Sequence, residues 1–273
     1  MRESASDLVR GTDQRGSRID TGPDQRQLGS GAWGLPGTIA GLLDASSPAP
    51  ETRASRTSDK VSHLVDAVAG QRAGFFREIG HFDFLRDVAI PELSKPGPHG
   101  FTAGFRSWSV ACATGEEPYS IALTLAEAGL RHPWRVTATD TSARLLEQAA
   151  AGIYDQAALG QIDETVRRKH FEPCPSPHEG RFQVRPALRA HVDFQRLSLL
   201  QGPSPRHAPF HAIFCRDVMM YFDPPTQREL CNLLLRQLVP GGYLFVGHAE
   251  CLADLRHALR SIQPAVYRKP LDL

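Results

Sequence analysis

The period of hydrophobic and polar positions changes several times along the chain, and the changes predict alternating strands and helices. From Met1 to about Ser58 no apolar period is sustained and Gly, Ser, Asp, Arg and Pro dominate. Such a stretch cannot bury enough surface to offset its ordering entropy, and it reads as a disordered extension. Its one apolar island, Trp33 to Leu43, is interrupted by Gly34, Pro36, Gly37 and Gly41. Regular pattern begins where Val61, Leu64, Val65 and Val68 recur at three- and four-residue spacing, which predicts a short helix; Phe82 to Leu93 predicts a second. Arg106 to Cys112 reads as a strand. After the turn at Thr114-Gly115, a helix starts at Glu116-Glu117-Pro118, because Pro and acids suit a first turn whose amides lack partners. It is expected to run through Leu130.

Further along, Arg135 to Thr139 predicts a strand closed by Asp140, and Ser142 to Ala151 a helix. Arg181 to Arg185 alternates like a solvent-faced strand and Ala190 to Phe194 like another, so a small antiparallel excursion is expected there. The rhythm resumes with strand His211 to Cys215, amphipathic helix Pro225 to Leu238, strand Gly242 to Val246 after the Pro240-Gly241 turn, and a last strand near Ala265 to Arg268. Strand and helix in alternation imply an α/β fold: a mainly parallel sheet covered on both faces.

Composition narrows the function. The 273 residues carry a formal net charge of +1, so there is no surplus of Lys and Arg for counterion release from nucleic acid or an anionic membrane. No apolar run approaches the ~20 residues that cross a bilayer, and the N-terminus lacks the apolar core of a secretory signal, which predicts a cytoplasmic protein without membrane insertion. Cys112, Cys174, Cys215, Cys231 and Cys251 are scattered, with no Cys-x-x-Cys pair and no matching His spacing, so no metal is expected.

In parallel sheets ligands bind beyond the carboxyl ends of the strands, where strand order reverses. The residues there are Ala113 to Glu117, Asp140, and Arg216-Asp217. Asp140 lies 25 residues beyond Gly115, near the ~20 that separate a glycine turn from a carboxylate gripping a ribose diol. The phosphate-binding Gly-x-Gly-x-x-Gly is missing, and Glu116 and Glu117 would repel a pyrophosphate. An adenosine cofactor without phosphates fits better. S-adenosylmethionine has a ribose diol for one acid and a cationic ammonium and sulfonium for others.

Four segments carry a specific resemblance: Phe75-Phe-Arg-Glu78, Thr114-Gly-Glu-Glu-Pro-Tyr-Ser120, Phe214-Cys-Arg-Asp-Val-Met-Met-Tyr-Phe-Asp223, and Gly241-Gly-Tyr-Leu-Phe-Val-Gly-His-Ala-Glu250. In order and spacing they are similar to the chemotaxis receptor protein-glutamate O-methyltransferase family over roughly Val61 to Arg268. The resemblance implies a Rossmann-like methyltransferase sheet, a small inserted β-subdomain at about 171–195, and S-adenosylmethionine as methyl donor, with S-adenosylhomocysteine as product. It implies methyl esters formed on glutamate side chains of a partner protein, such as the cytoplasmic region of a chemoreceptor, by a monomer. By the same mapping, Arg77 and Tyr221 lie beside the transferred methyl group. Gln71, Ala73, Arg77, Glu117, Asp140, Ser198, Leu199, Arg216 and Asp217 occupy cofactor-contact positions.

Departures from the family pattern are informative. Ala69-Gly-Gln-Arg-Ala73 stands where the family shows Thr-Thr-Asn-x-Thr, Asp217 stands for an Asn, and Ser198 for another Asn. The helical N-terminal domain is reduced to its last helices: 1–58 is an extension, 59–95 a remnant and linker, and 96–273 the cofactor-binding domain. Two other readings compete: a catalytically weak cofactor-binding adaptor on the same fold, and a methyltransferase for a different carboxylate. His248 and Glu250, ending a strand, read as structural.

Overall fold

The computed structural model describes residues 74–95, 104–175, 178–197, 209–250, 252 and 258–272. The helix expected from Val61 and the extension before it lie outside these residues.

The first element is a turn, 75–79, that runs into α1, formed by Gly80–Phe84, a π-helical stretch Leu85–Ala89, and Ile90–Leu93. There follow β1 (Phe105–Val110), α2 (Glu116–Glu127), β2 (Trp134–Asp140), α3 (Ala143–Ala151), β3 (Ile153–Asp155), α4 (Glu164–His170), β4 (Phe171–Pro173) and β5 (Arg181–Val184). The chain continues through α5 (Pro186–Arg189), β6 (Val192–Arg196), β7 (Phe210–Cys215), a 3-10 turn Met219–Tyr221, α6 (Pro224–Gln237), β8 (Leu238–Val246), β9 (Arg260–Gln263) and β10 (Val266–Arg268).

Seven strands form one sheet in the order β6-β2-β1-β7-β8-β10-β9, parallel from β6 to β8 and antiparallel at β10 and β9. Alternation along the strands divides the core. Phe214 and Phe245 pack on one face with Phe82, Ile121 and Leu123 of α1 and α2. Ile213 and Leu244, one residue away on the same strands, pack on the other with Leu230 and Leu234 of α6. This is the two-residue period of a sheet buried on both sides.

Local sequence accounts for the helix ends. Ser142 caps α3 by accepting from the Leu145 N–H, and Gly152 ends it at φ 62°. Asp223 caps α6 through the Thr226 N–H, with Pro224 and Pro225 in its first turn. The second helix stops at Glu127, short of the Leu130 expected from sequence, because Gly129 turns the chain at φ 63°.

One expectation is corrected. The strand read at Ala190 to Phe194 is Val192–Arg196, and it pairs in parallel with β2 at the edge of the main sheet. The antiparallel excursion is instead a three-stranded sheet, β3-β5-β4, with α4 between its outer strands. Alternation at a sheet edge looks the same whichever sheet the strand joins. Strands of three residues, such as β3 and β4, show no period at all.

Candidate active site

Parallel register aligns the ends of the central strands. Val110 of β1 pairs with Thr139 of β2 on one side and Cys215 of β7 on the other. The residues that follow, Ala111–Gly115, Asp140 and Arg216–Asp217, therefore emerge side by side at the point where strand order reverses. Backbone strain gathers at the same place. Of the six non-glycine residues at positive φ among the described residues, five surround it: Phe76, Glu78, Ala111, Ala113 and Asp217. Left-handed backbone is costly for side chains with a Cβ, and it persists where surrounding contacts over-determine it.

Asp140 is buried at the mouth of β2. Its Oδ2 accepts from the Ala113 N–H at 3.0 Å and its Oδ1 from the Ser142 N–H at 2.9 Å, which ties the β1 and β2 loops together. An ionised carboxylate is acceptor-only, and a ribose diol offers two hydroxyl donors that match it. Glu117, in the first turn of α2, accepts from Ser109 Oγ at 2.7 Å on one oxygen and pairs with Arg216 at 3.3 Å on the other. Burial pushes its carboxyl above the ordinary value, and the Arg216 charge and the Ser109 hydroxyl pull the other way.

Arg216 is the hub. Its side chain is almost wholly buried and donates to Glu78 Oε2 at 3.0 Å, to Glu117, and to the Arg77 carbonyl at 2.7 Å. It thus joins the end of β7, the start of α2 and the turn before α1. That turn is anchored independently. Phe75 is buried and packs edge-on against Tyr154 and Phe171, and the Phe76 N–H donates to Ser120 Oγ of α2 at 2.9 Å. The Arg77 guanidinium, partly exposed, reaches Asp217 Oδ2 at 3.1 Å.

The loop after β7 is held from beneath by Glu250. Its carboxylate accepts four backbone amides, those of Asp217, Val218, Met219 and Gly247. Gln227 of α6 adds bonds from its side-chain amide to the Met219 and Phe222 carbonyls, which fixes the 3-10 turn carrying half-buried Tyr221.

Of the residues expected from sequence, Arg77, Glu117, Arg216 and Asp217 form one contact network, and Asp140 stands at the neighbouring strand end. Tyr221 follows on the Asp217 loop. Gln71, Ala73, Ser198 and Leu199 lie outside the described residues. Two participants escaped notice as site residues. Glu78 ends a motif recognised for Arg77, and Ser109 gives no signal in the sequence beyond a polar residue inside a buried strand.

The donor set suits a cationic ligand without phosphates. Glu78, Glu117, Asp140 and Asp217, with Glu116 bonded to Thr114, outnumber Arg77 and Arg216. Cys112 registers this field: its thiol is pushed well up by burial first and then by Asp140 and Glu117. A mainly parallel sheet with this acid-rich switch point is the frame of an S-adenosylmethionine-dependent methyltransferase. The family described as CheR methyltransferase, SAM binding domain, matches residues 71–267. Chemotaxis protein methyltransferase 2 of Pseudomonas aeruginosa is 35% identical over 79% of this chain and 76% of its own length. The chemotaxis protein methyltransferase of Escherichia coli is 37% identical over 77% of this chain and 71% of its own. The chain belongs to the CheR methyltransferase family, and S-adenosylmethionine is its methyl donor.

Proposed function

We propose that this protein forms methyl esters on glutamate side chains of a chemotaxis-type receptor, in the cytoplasm. The observation that carries the reading is the cluster at the strand ends, where Arg216 joins Glu117, Glu78 and the Arg77 carbonyl beside Asp140 and the loop that leads to Tyr221. The names of the relatives support the choice of substrate.

When bound, S-adenosylmethionine supplies an electrophilic methyl group on a cationic sulfur. Asp140 would take its ribose hydroxyls, and the acids around Arg216 would face its positive end. The glutamate to be esterified is already ionised near neutral pH, so no strong base is required of the protein. What remains is alignment and the exclusion of water. In this reading Arg77 holds the incoming carboxylate, while Tyr221, fixed by Glu250 and Gln227, orients it through its hydroxyl.

Calorimetric titration with S-adenosylhomocysteine, on the wild type and on Asp140→Ala, tests the cofactor half: binding should be lost in the variant. Incubation with methyl-labelled cofactor and a receptor cytoplasmic fragment tests the other half, and base-labile label on glutamate is the expected result. Cofactor binding without any transfer to receptor would instead favour a cofactor-binding adaptor. The ion pair in which Asp217 engages Arg77, at a position where the family has Asn, is the feature that favours that second reading.

A further inference from the structure

Beside the Arg216 hub three more side chains converge. Glu78 ends the turn before α1, His81 lies in the first turn of that helix, and His248 follows β8. His81 Nδ1 stands 3.5 Å from Glu78 Oε2, His248 Nδ1 stands 3.6 Å from Glu78 Oε1, and one ligand atom from each residue lies within 4.8 Å of the others. Adjacent ligands of a tetrahedral ion with bonds of about 2.0–2.1 Å are separated by roughly 3.3 Å. The two short separations run to different oxygens of Glu78, so an ion held by one oxygen finds one edge close to this value and the others within 4.8 Å.

The independent observation is the state of His81. The residue is 1% exposed, yet neither ring nitrogen has a hydrogen-bond partner. A buried imidazole carries one N–H and one lone pair, and native proteins rarely leave both unmet. Its ring lies between Phe245, at 5.6 Å, and His248, at 5.0 Å, and Nδ1 faces the carboxylate without a hydrogen bond between them. A shared cation would join two such acceptors.

We propose that Glu78, His81 and His248 form a site for a divalent transition-metal ion of the zinc class. Two imidazoles and one carboxylate are a donor set that suits zinc and its neighbours, and His248, 56% exposed, leaves the site open to water on one side. Arg216 donates to Glu78 Oε2 from both Nε at 3.2 Å and Nη2 at 3.0 Å, and the His248 backbone N–H donates to Oε1 at 3.1 Å, so the second lone-pair direction of Oε1 is the one left for an ion. The expectation of no metal came from the local spacing of cysteines and histidines; this set uses no cysteine and joins residues 170 positions apart.

The test uses the full chain stripped with EDTA, without cofactor, so that it is independent of the methyltransferase reading. Zn(II) is titrated calorimetrically and Co(II) is followed by its visible ligand-field bands, on wild type, His248→Ala and Glu78→Gln. One ion per chain is expected, with affinity about tenfold or more weaker in His248→Ala and the Co(II) bands lost. His248 is surface-exposed, so that variant keeps the fold, which far-ultraviolet circular dichroism checks. No binding by the wild type, or equal binding by His248→Ala, would overturn the proposal.

Discussion

Glu250 organises more backbone than any other described acid near the cleft, and its replacement by glutamine probes that role without changing side-chain size. Oε1 accepts from Val218 at 2.7 Å and Met219 at 2.6 Å, and Oε2 from Asp217 at 2.9 Å and Gly247 at 2.8 Å. In Glu250→Gln one carbonyl oxygen serves two of these amides, and the new NH2 group confronts the other two donor to donor. Each stranded buried N–H costs about 1–3 kcal/mol, so the substitution should cost about 2–6 kcal/mol. That is a large part of the ~5–15 kcal/mol that holds a typical domain together. Urea unfolding at neutral pH measures the loss. The same variant should bind S-adenosylhomocysteine more weakly, because Asp217 and Tyr221 ride on the loosened loop. A change in unfolding free energy below about 1 kcal/mol would refute the idea that these amides depend on the carboxylate.

Other expectations follow from the same geometry. Gly115→Ala should lose at least about 1–2 kcal/mol for its left-handed backbone alone. Its new Cβ would also lie 2.8 Å from Tyr154 Oη and 2.9 Å from Ala149 Cβ, so urea unfolding should show a larger loss than that figure. His211 is buried, accepts the Arg106 N–H at Nδ1, and is driven by burial from 6.5 down to about 4. A depressed histidine is protonated in the unfolded chain before the folded one, so its contribution is full above about 6.5 and is lost as pH falls towards about 4. The span is worth roughly 3 kcal/mol. Chemical unfolding at pH 7 and pH 5 should therefore show a smaller pH-dependent loss in His211→Gln than in wild type; equal losses would contradict the assignment. Asp217→Asn removes the charge that engages Arg77 while keeping a side chain that tolerates φ 58°. Since a partly exposed pair contributes at most about 1 kcal/mol, stability should hardly change, whereas turnover on receptor should rise; an unchanged rate would show that the pair does not restrain Arg77.

The sequence by itself determined the alternation of elements, because a strand buried on both faces and a helix with one apolar stripe leave different periods in the chain. The caps of two of those helices, Ser142 and Asp223, came from the structure, where each short polar side chain meets an orphan amide of the first turn. The motifs around Arg77, Glu117 and Arg216-Asp217 were legible as segments, and their order pointed to the family. Tertiary structure alone decided what those segments do to one another. Nothing local says that Val192–Arg196 pairs with β2 and not with Arg181–Val184, because edge alternation is blind to its partner. Arg216 as a bridge between Glu78 and Glu117 depends on contacts across 138 and 99 residues. His81, His248 and Glu78 meet for the same reason: side-chain type is written in the chain, but the distance between ligands or charges exists only once the sheet has set which strand ends are neighbours.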